Sequence, residues 1–257
     1  MLLAIDAGNT NTEFAIMQDG EILGSWRIST DSQRTADEYA VWLIQLMGLA
    51  GLDRLAVTGA VIACVVPESL FNLRGLCDKY FGTRPMVVGD PSLDLGIRAD
   101  IERPSEVGAD RLVTALAARE KFGNDLIVID FGTATTFDVV NEVGDFAGGV
   151  IAPGINLSIK ALYMAAAKLP RIDIRPTQSV IARSTVPAMQ SGVFWGYIAM
   201  IEGLVARMRA ELDRPVTVVA TGGLATMFAG ATSVIDHIDK TLILSGLSLI
   251  YQRNKGK

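Results

Sequence analysis

The chain has 257 residues, of which 50% are hydrophobic and 20% are charged, and its mean hydropathy is +0.35. These values are typical of a globular protein with a well-buried core, and they exclude disordered and collagen-like chains. The net charge of -5 and the pI near 5.0 argue against a protein that wraps nucleic acid. The single histidine, His237, excludes a His-rich metal site.

The length limits the number of domains, and the cysteines indicate the cellular compartment. At about 150 residues per domain, the length allows one large domain or two of roughly 120 to 130 residues. Cys64 and Cys77 have no CxxC spacing, so we expect free thiols in a reducing cytoplasm. The first residues reach Asp6 without a basic leader, so no signal or transit peptide is expected. The longest uncharged stretch, residues 184–201, contains Pro187 and two glycines and predicts a buried helix, not a membrane span.

Apolar runs and helical periodicity predict strands and helices that alternate along the chain. The predicted strands are residues 2–6, 14–17, 55–67, 126–130, 136–140 and 216–223. The predicted helices are residues 36–47, 67–80, 105–122, 158–167, 188–211 and 242–252. Residues 85–103 combine turns with short apolar runs and are the expected linker. The order predicts two α/β halves, residues 1–103 and 104–257, that face each other across a cleft.

Two of the predicted strands end in an aspartate that is followed by glycine and hydroxyl residues. Asp6 precedes Gly8-Asn9-Thr10, and Asp130 precedes Gly132-Thr133, about half a chain length later. This repetition indicates an internal duplication. A carboxylate beside a donor-rich turn suits a hydrated divalent ion and phosphate, with Asp6 on the metal side. One such motif alone is equally typical of a plain β-turn, but two copies suit a nucleoside triphosphate bound from both sides.

A P-loop nucleotide fold and a dinucleotide site are excluded, because neither G-x-x-x-x-G-K-[ST] nor a strand followed by G-x-G-x-x-G occurs. Thr221-Gly222-Gly223 ends an apolar run and would let the backbone approach a flat or anionic group, or would form an ordinary strand-to-helix turn. Asp110 and Arg111 fall in the first turns of the predicted helix 105–122. A carboxylate there gains from the helix dipole, whereas an arginine does not, so Arg111 favours an anionic substrate.

Five motifs together resemble one known family. They are Asp6-Ala-Gly-Asn-Thr10, Gly108-Ala-Asp-Arg111, Asp130-Phe-Gly-Thr-Ala134, Gly148-Gly-Val-Ile-Ala-Pro-Gly154 and Thr221-Gly-Gly223. In this order and spacing, the chain resembles type III pantothenate kinases over essentially its whole length. The resemblance implies a duplicated ribonuclease-H-like fold of the actin, Hsp70, acetate kinase and sugar kinase superfamily. It also implies ATP-dependent phosphorylation of pantothenate to 4'-phosphopantothenate, the first step of coenzyme A biosynthesis, by a cytoplasmic homodimer with its substrate pocket near the subunit interface.

The resemblance also implies roles for individual residues. The first phosphate-binding loop would comprise Asp6, Ala7, Gly8, Asn9, Thr10, Asn11, Thr12 and Glu13. Gly108, Ala109, Asp110, Arg111 and Thr185 would contact pantothenate, with Asp110 as the general base. Thr133 would touch ATP, and Thr221, Gly222 and Gly223 would lie by the adenosine. Asp130 would bind a monovalent cation, K⁺ or NH₄⁺, and ATP would enter with a divalent cation, Mg²⁺, near Asp6.

Some expectations stay open at this point. Where some relatives place a tyrosine near the substrate, residues 94–103 have none. A sugar kinase or exopolyphosphatase on the same fold is one alternative, although it would not predict the Gly108–Arg111 motif. A non-enzymatic accessory factor in transcription is another, although the acidity disfavours DNA binding, and no nucleic-acid or membrane partner is expected. Trp195 and Tyr197 belong to an apolar band at helical spacing that predicts core or dimer packing, and His237 is expected in a loop or an interface.

Overall fold

The computed structural model describes residues 1–165 and 169–256. The chain forms two compact units: residues 1–121 together with the C-terminal stretch from Thr241, and residues 122–240. Both units combine a sheet with helices, as expected. The expected half boundary at residues 103 and 104 does not coincide with this division, because residues 104–121 and the C-terminal stretch group with the first unit.

The strands and helices follow one another in the same general order in both units. Up to residue 122 they are β1 (Leu2–Ala7), β2 (Asn11–Gln18), β3 (Glu21–Ser29), α1 (Ala36–Leu49), β4 (Gly59–Cys64), α2 (Pro67–Phe81), β5 (Met86–Val87) and α3 (Ala109–Phe122). They continue with β6 (Leu126–Phe131), β7 (Ala134–Val140), β8 (Phe146–Pro153), α4 (Ile155–Ala165), α5 (Thr185–Leu212), β9 (Thr217–Gly222), α6 (Ala225–Ala229), β10 (His237–Ile238) and α7 (Leu242–Asn254).

The sheet of the first unit has the order β3-β2-β1-β4-β5. Strand β1 pairs antiparallel with β2 and parallel with β4, so that Ala7 lies opposite both Thr12 and Cys64. Apolar side chains of α1 and α2 pack on one face of this sheet around Phe14 and Leu73. Helices α3 and α7 contribute Leu116 and Leu247 to a second apolar cluster on the opposite face. The first unit is therefore a sheet between two helical layers.

The sheet of the second unit has the order β10-β9-β6-β7-β8, which repeats the order of the first sheet. Strand β6 pairs antiparallel with β7 and parallel with β9, so Asp130 lies opposite both Thr136 and Thr221. The apolar core of this unit joins the sheet to α4, α5 and α6 through residues such as Ile129, Phe194 and Phe228. The duplication inferred from the two aspartate motifs is confirmed at the level of strand order and pairing.

Short sequence motifs determine where several of the helices and strands begin or end. Thr35 and Glu38 form a capping box at the start of α1, each side chain accepting a hydrogen bond from the other's backbone N–H. Asp19 and Gly20 join β2 to β3, and both have positive φ angles (51° and 89°), as a two-residue hairpin turn requires. Helix α2 begins at Pro67 and ends at a left-handed glycine, Gly82.

Several predicted boundaries were wrong. The predicted strand 55–67 begins only at Gly59, because a short 3₁₀ turn precedes it. The helix predicted from residue 105 begins at Ala109, because a separate 3₁₀ turn occupies residues 104–106. Strands β3, β5, β8 and β10 were not predicted. Helix α4 begins three residues before the prediction, whose last two residues, 166 and 167, lie outside the described residues.

The predicted linker is tied to the C-terminal helix of the same unit. The side chain of Asn254 in α7 is buried, and its amide group donates hydrogen bonds to the Asp94 and Ile250 carbonyl oxygens at 2.9 and 2.8 Å. The Asn254 Oδ1 atom accepts a hydrogen bond from the Asp94 backbone N–H at 2.9 Å. Residues 94–96 are therefore held against α7, although they have no regular secondary structure.

Both cysteines have free thiols, as expected. Within residues 1–165 and 169–256, no helix combines the length and the apolar character that crossing a bilayer requires.

Candidate active site

The turn after β1 is closed by backbone hydrogen bonds and held by one side chain. The Gly8 N–H group donates to the Asn11 carbonyl oxygen at 3.1 Å, and the Thr30 N–H group donates to the Thr10 carbonyl oxygen at 2.9 Å. The Thr30 hydroxyl group donates to the Gly8 carbonyl oxygen at 2.6 Å. Asn9 and Thr10 stay exposed at the tip of the turn. The turn is therefore fixed at its base, with polar groups exposed at its tip.

Thr12 and Glu13, the last two residues of the predicted phosphate loop, lie in β2. The Thr12 side chain is fully buried, and its hydroxyl group shares a 3.0 Å hydrogen bond with the Thr30 hydroxyl group. Glu13 forms an ion pair of 2.9 Å with Arg27 on β3. In this arrangement Thr12 supports the turn from below, whereas Asn9 and Thr10 are accessible to a ligand.

Asp6 lies at the carboxyl end of β1, beside the carboxyl end of the parallel strand β4. The Val65 N–H group, directly after β4, donates to the Ala7 carbonyl oxygen at 3.0 Å. Asp6 is partly buried and is one of the charges that raise the pKa of Cys64, although burial of that thiol is the main cause. The ends of parallel strands thus place Asp6 next to the residues that follow β4.

Asp110 lies in the first turn of α3 and close to the same strand ends. A Cβ atom at Gly108 would lie 2.5 Å from Asp110 Oδ1 and 3.8 Å from Val65, the residue bonded to Ala7. Glycine at position 108 therefore leaves room for the carboxylate. The Arg111 N–H group donates to Asp110 Oδ1 at 2.8 Å.

Burial raises the pKa of the Asp110 carboxyl group above its ordinary value, and the hydrogen bond and charge of Arg111 oppose that rise. A partly buried carboxylate with a raised pKa is a better proton acceptor than an exposed aspartate. Gly108 thus lies beside Val65, which bonds to Ala7, so the start of α3 lies near the end of β1 within the first unit.

The turn after β6 is shorter and is held by close backbone approach. The Gly132 N–H group donates to the Ala134 carbonyl oxygen at 3.1 Å. A Cβ atom at Gly154, directly after β8, would lie 2.2 Å from the Thr133 carbonyl oxygen and 2.8 Å from that of Gly132. Only glycine at position 154 allows this contact. Thr133, the predicted ATP contact, is exposed at the tip of the turn.

Asp130 lies below this turn and beside the end of β9. Gly222 has a φ angle of 88°, and a Cβ atom there would lie 2.5 Å from Asp130 Oδ1 and 2.8 Å from the Phe131 carbonyl oxygen. Thr221 is buried opposite Asp130, whereas Gly223 is exposed. Asp130, Thr133 and the segment Thr221 to Gly223 are therefore brought together within the second unit.

Oxygen donors at these two aspartates suit hard cations. The Asp130 carboxylate, the Phe131 carbonyl oxygen and the Phe131 N–H group all approach Gly222 closely, and carboxylate and carbonyl oxygens are the ligands that hard cations prefer. Asp6 beside a donor-rich turn fits a hydrated divalent ion. Among the described residues, no group of three or more His, Cys, Asp or Glu side chains is placed to hold a metal ion. A cation held by these residues would therefore be coordinated by at most two such side chains.

Thr185 is the first residue of α5 and lies on an apolar groove between α4 and α5. The groove has a volume of about 740 Å³, and Ile155, Met189 and Tyr197 line it together with Thr185. Two exposed apolar side chains lie on adjoining segments: Met164, at 69% exposure, is in α4, and Ile181, at 86%, follows Val180, whose carbonyl oxygen accepts a hydrogen bond from Ser191 of α5. His237 lies elsewhere, in the short strand β10 rather than in a loop, and its ring stacks on Phe122 at a centroid distance of 4.9 Å.

Sequence reasoning missed Thr30 and assigned no role to Gly154. Each is the first residue after the third strand of its sheet, and each contacts the turn that carries the candidate ligand groups. The internal duplication could have identified them, because residues at matching positions of two repeated sheets contact matching turns. No local pattern around Thr30 signals this contact, because Gly8 is 22 positions away.

Comparison with known proteins assigns the family. A model of the type III pantothenate kinase family matches residues 2–207. The chain is 57% identical over 254 residues to a type III pantothenate kinase of Paramagnetospirillum magneticum, covering 99% of this chain and 98% of that protein.

Solved structures share the fold at low identity. A Campylobacter jejuni protein assigned to the Baf family of transcriptional activators has a TM-score of 0.60 at 19% identity, covering 99% of this chain and 100% of that one. A ROK hexokinase of Thermus thermophilus has a TM-score of 0.51 at 13% identity, covering 100% and 99%. These likenesses confirm the predicted fold. On the family model and the sequence identity, the chain belongs to the type III pantothenate kinase family.

Proposed function

We propose that the protein transfers the γ-phosphoryl group of ATP to the primary hydroxyl group of pantothenate, giving 4'-phosphopantothenate and ADP in the first step of coenzyme A biosynthesis. The observation that carries the residue assignment is the partly buried Asp110 carboxylate, with its raised pKa, beside the strand ends that bear Asp6. Family membership supplies the substrate pair. Free thiols and the need for ATP favour a cytoplasmic location.

The chemistry requires three tasks of the protein: positioning, charge neutralisation and proton acceptance. The pantothenate hydroxyl oxygen forms a bond to the γ-phosphorus atom while the bond to the β,γ-bridging oxygen breaks. Asp110 accepts the hydroxyl proton, and ADP leaves. Arg111 binds the pantothenate carboxylate with Gly108 and Ala109 beside it, and Thr185 contacts pantothenate from the groove of α5. Asn9 and Thr10 donate to phosphate oxygens, with Ala7, Gly8 and Asn11 shaping the turn.

The second unit binds the nucleotide and the monovalent cation in this proposal. Thr133 contacts ATP, and Thr221, Gly222 and Gly223 leave room for the adenosine. Asp130 holds K⁺ or NH₄⁺, which reduces repulsion between that carboxylate and phosphate. Asp6 is the residue that would hold hydrated Mg²⁺, which supplies neutralisation of the phosphate charge.

A phosphate-transfer assay tests substrate and cation together. We expect transfer from radiolabelled ATP to pantothenate, with little transfer to glucose or glycerol, and higher activity in potassium than in sodium buffer. Transfer to the sugars at similar rates would favour a sugar kinase instead. Equal activity in the two buffers would remove the role of Asp130 as a K⁺ ligand.

We also propose that the protein is a homodimer that uses the exposed apolar surface of Met164, Ile181 and the neighbouring groove. Side chains with 86% and 69% exposure, next to an apolar groove, are typical of a surface that another chain covers. Light scattering on the purified protein should give twice the mass of the 27.5 kDa chain. Ile181→Glu should reduce that mass to one chain, and a monomeric wild-type protein would refute the proposal.

A further inference from the structure

Tyr197 is an interior residue of α5 that the sequence analysis assigned only to packing. Its side chain is 7% exposed, and its hydroxyl group is in hydrogen-bond contact with the fully buried hydroxyl group of Thr135. Burial raises the pKa of Tyr197, while hydrogen bonds from Thr135 and the Ile155 backbone lower it. The phenol is therefore a neutral group with two protein partners.

The partners of Tyr197 surround the Gly132–Thr133 turn. Thr135 is the second residue of β7, two positions after Thr133, and Phe131, directly before the turn, has its ring centroid 6.4 Å from that of Tyr197. Ile155 follows Gly154, whose missing side chain lets the carbonyl oxygens of the turn approach. The hydroxyl group and the ring of Tyr197 thus contact residues on both sides of the turn and the first residue of α4.

The first unit has a buried tyrosine that faces the corresponding threonine. Tyr39 in α1 is fully buried and its hydroxyl group has no hydrogen bond of standard geometry among the described residues, but while burial raises the Tyr39 pKa, Thr12 and Arg34 lower it. Thr12 matches Thr135 in strand register, and its hydroxyl group shares a 3.0 Å hydrogen bond with Thr30. The first turn thus has the Thr30 hydroxyl group as a support, whereas the second turn has Gly154 at that position and Tyr197 as the hydroxyl group bonded to Thr135.

We propose that Tyr197 is a positioning residue for the nucleotide: through Thr135 and Ile155 it holds the Gly132–Thr133 turn in the conformation that binds ATP. This inference rests on the proposed function, in which Thr133 contacts ATP. Tyr197 itself does not touch the reacting atoms. Loss of its hydroxyl group leaves the buried Thr135 hydroxyl group without its partner and loosens the turn, while the aromatic ring still fills the core and lines the groove.

Calorimetric titration of the full-length protein with a non-hydrolysable ATP analogue, with steady-state kinetics beside it, tests the proposal. We expect Tyr197→Phe to weaken analogue binding about five- to tenfold, the change that loss of one buried hydrogen bond produces. The KM for ATP should rise by a similar factor, and the KM for pantothenate should stay unchanged. Tyr80→Phe, which removes an exposed hydroxyl group bonded to Asp37 at 2.6 Å, is the matched control and should bind as the wild type does.

Thr135→Val removes the other hydroxyl group and should weaken the analogue by the same factor. In the double variant the two effects should not add, because both changes remove one hydrogen bond. Additive effects, unchanged analogue binding, or equal losses for ATP and pantothenate would overturn the proposal. If Tyr197→Phe does not fold, Thr135→Val alone decides the outcome. If the wild-type protein binds the analogue but does not phosphorylate pantothenate, the proposed function is refuted. The titrations of the Tyr197 and Thr135 variants still decide whether Tyr197 positions the turn for nucleotide binding.

Discussion

The two sheets have the same strand order, and each carries an aspartate at the end of its central strand, yet their turns are held by different means. In the first unit the Thr30 hydroxyl group bonds to the Gly8 carbonyl oxygen and to Thr12. In the second unit the matching position is Gly154, and the carbonyl oxygens of Gly132 and Thr133 pack against the Gly154 backbone. The two units therefore support their turns from matching positions but through different interactions.

A second difference concerns the proton acceptor. The first unit places a partly buried carboxylate with a raised pKa, Asp110, at the start of a helix beside the strand ends. The second unit has Asp130 beside Gly222 and the Phe131 backbone, and the proposed function assigns this carboxylate to a cation. In the proposed roles, the two units therefore supply different chemistry from similar frameworks.

The largest expected effect tests this division of roles. Asp110→Asn removes the proton acceptor, so we expect kcat to fall by about 10² to 10⁴ while ATP binding is retained. Because burial raises the pKa of Asp110, the acid limb of the kcat/KM profile should lie above the ordinary value of 3.8. Near-normal turnover in a folded Asp110→Asn protein would remove Asp110 as the base.

The same variant has a predictable effect on stability. A folded-state pKa above the unfolded value means that Asp110 contributes most to stability below its unfolded pKa, and that this contribution is lost as the pH rises through the folded pKa. At pH 7 to 8, a neutral asparagine should therefore unfold at a higher temperature than the wild type. A lower Tm by circular dichroism would contradict this sign.

Substitution of Gly154, against which the second turn packs, should have the next largest effect. Gly154→Ala places a Cβ atom 2.2 Å from a carbonyl oxygen, so we expect a loss of about 2 to 4 kcal/mol in the free energy of unfolding. Urea denaturation measures this loss. Gly48→Ala, in a helix with open space around the new methyl group, is the control and should be neutral or stabilising by about 0.5 to 1 kcal/mol.

Arg111→Ala should act mainly on substrate binding. Loss of a charged hydrogen-bond partner for the pantothenate carboxylate should raise the KM for pantothenate by about 10- to 100-fold, with a smaller change in the KM for ATP. Arg103→Ala serves as the control, because Arg103 is exposed and forms a surface i,i+3 ion pair with the nearby Glu106. A larger effect on ATP than on pantothenate would reassign Arg111 to the nucleotide.

The hydroxyl support of the first turn should show the smallest effect. Thr30→Val removes the bonds to Gly8 and Thr12, and we expect about 1 to 2 kcal/mol of destabilisation and a KM for ATP raised about three- to tenfold. Thr30→Ser keeps the hydroxyl group and should restore most of both. If valine and serine behave alike, the first turn does not depend on this hydroxyl group.

The sequence predicted what depends on local pattern. Buried apolar runs located β1, β6 and β9, and the repeated aspartate motifs revealed the duplication. Strand β3 was missed because it alternates between exposed and half-buried residues, although Asp19-Gly20 is a hairpin signal. No local pattern signals the contacts of Thr30 and Tyr197, because they join residues 22 and 62 positions apart, and only comparison of the two repeats could have pointed to Thr30.

The C-terminal helix has a consequence for synthesis of the protein. The first unit contains residues 1–121 but also needs α7, whose Leu247 and Ile250 cover β1 and β4 and whose Asn254 holds Asp94. During synthesis, all residues of the second unit precede α7, whereas Leu2, Ala4 and Val61 of the first unit have only the α3 part of their helical cover until α7 is made. A chain that stops before residue 241 leaves part of this apolar sheet face uncovered, and such a surface favours aggregation.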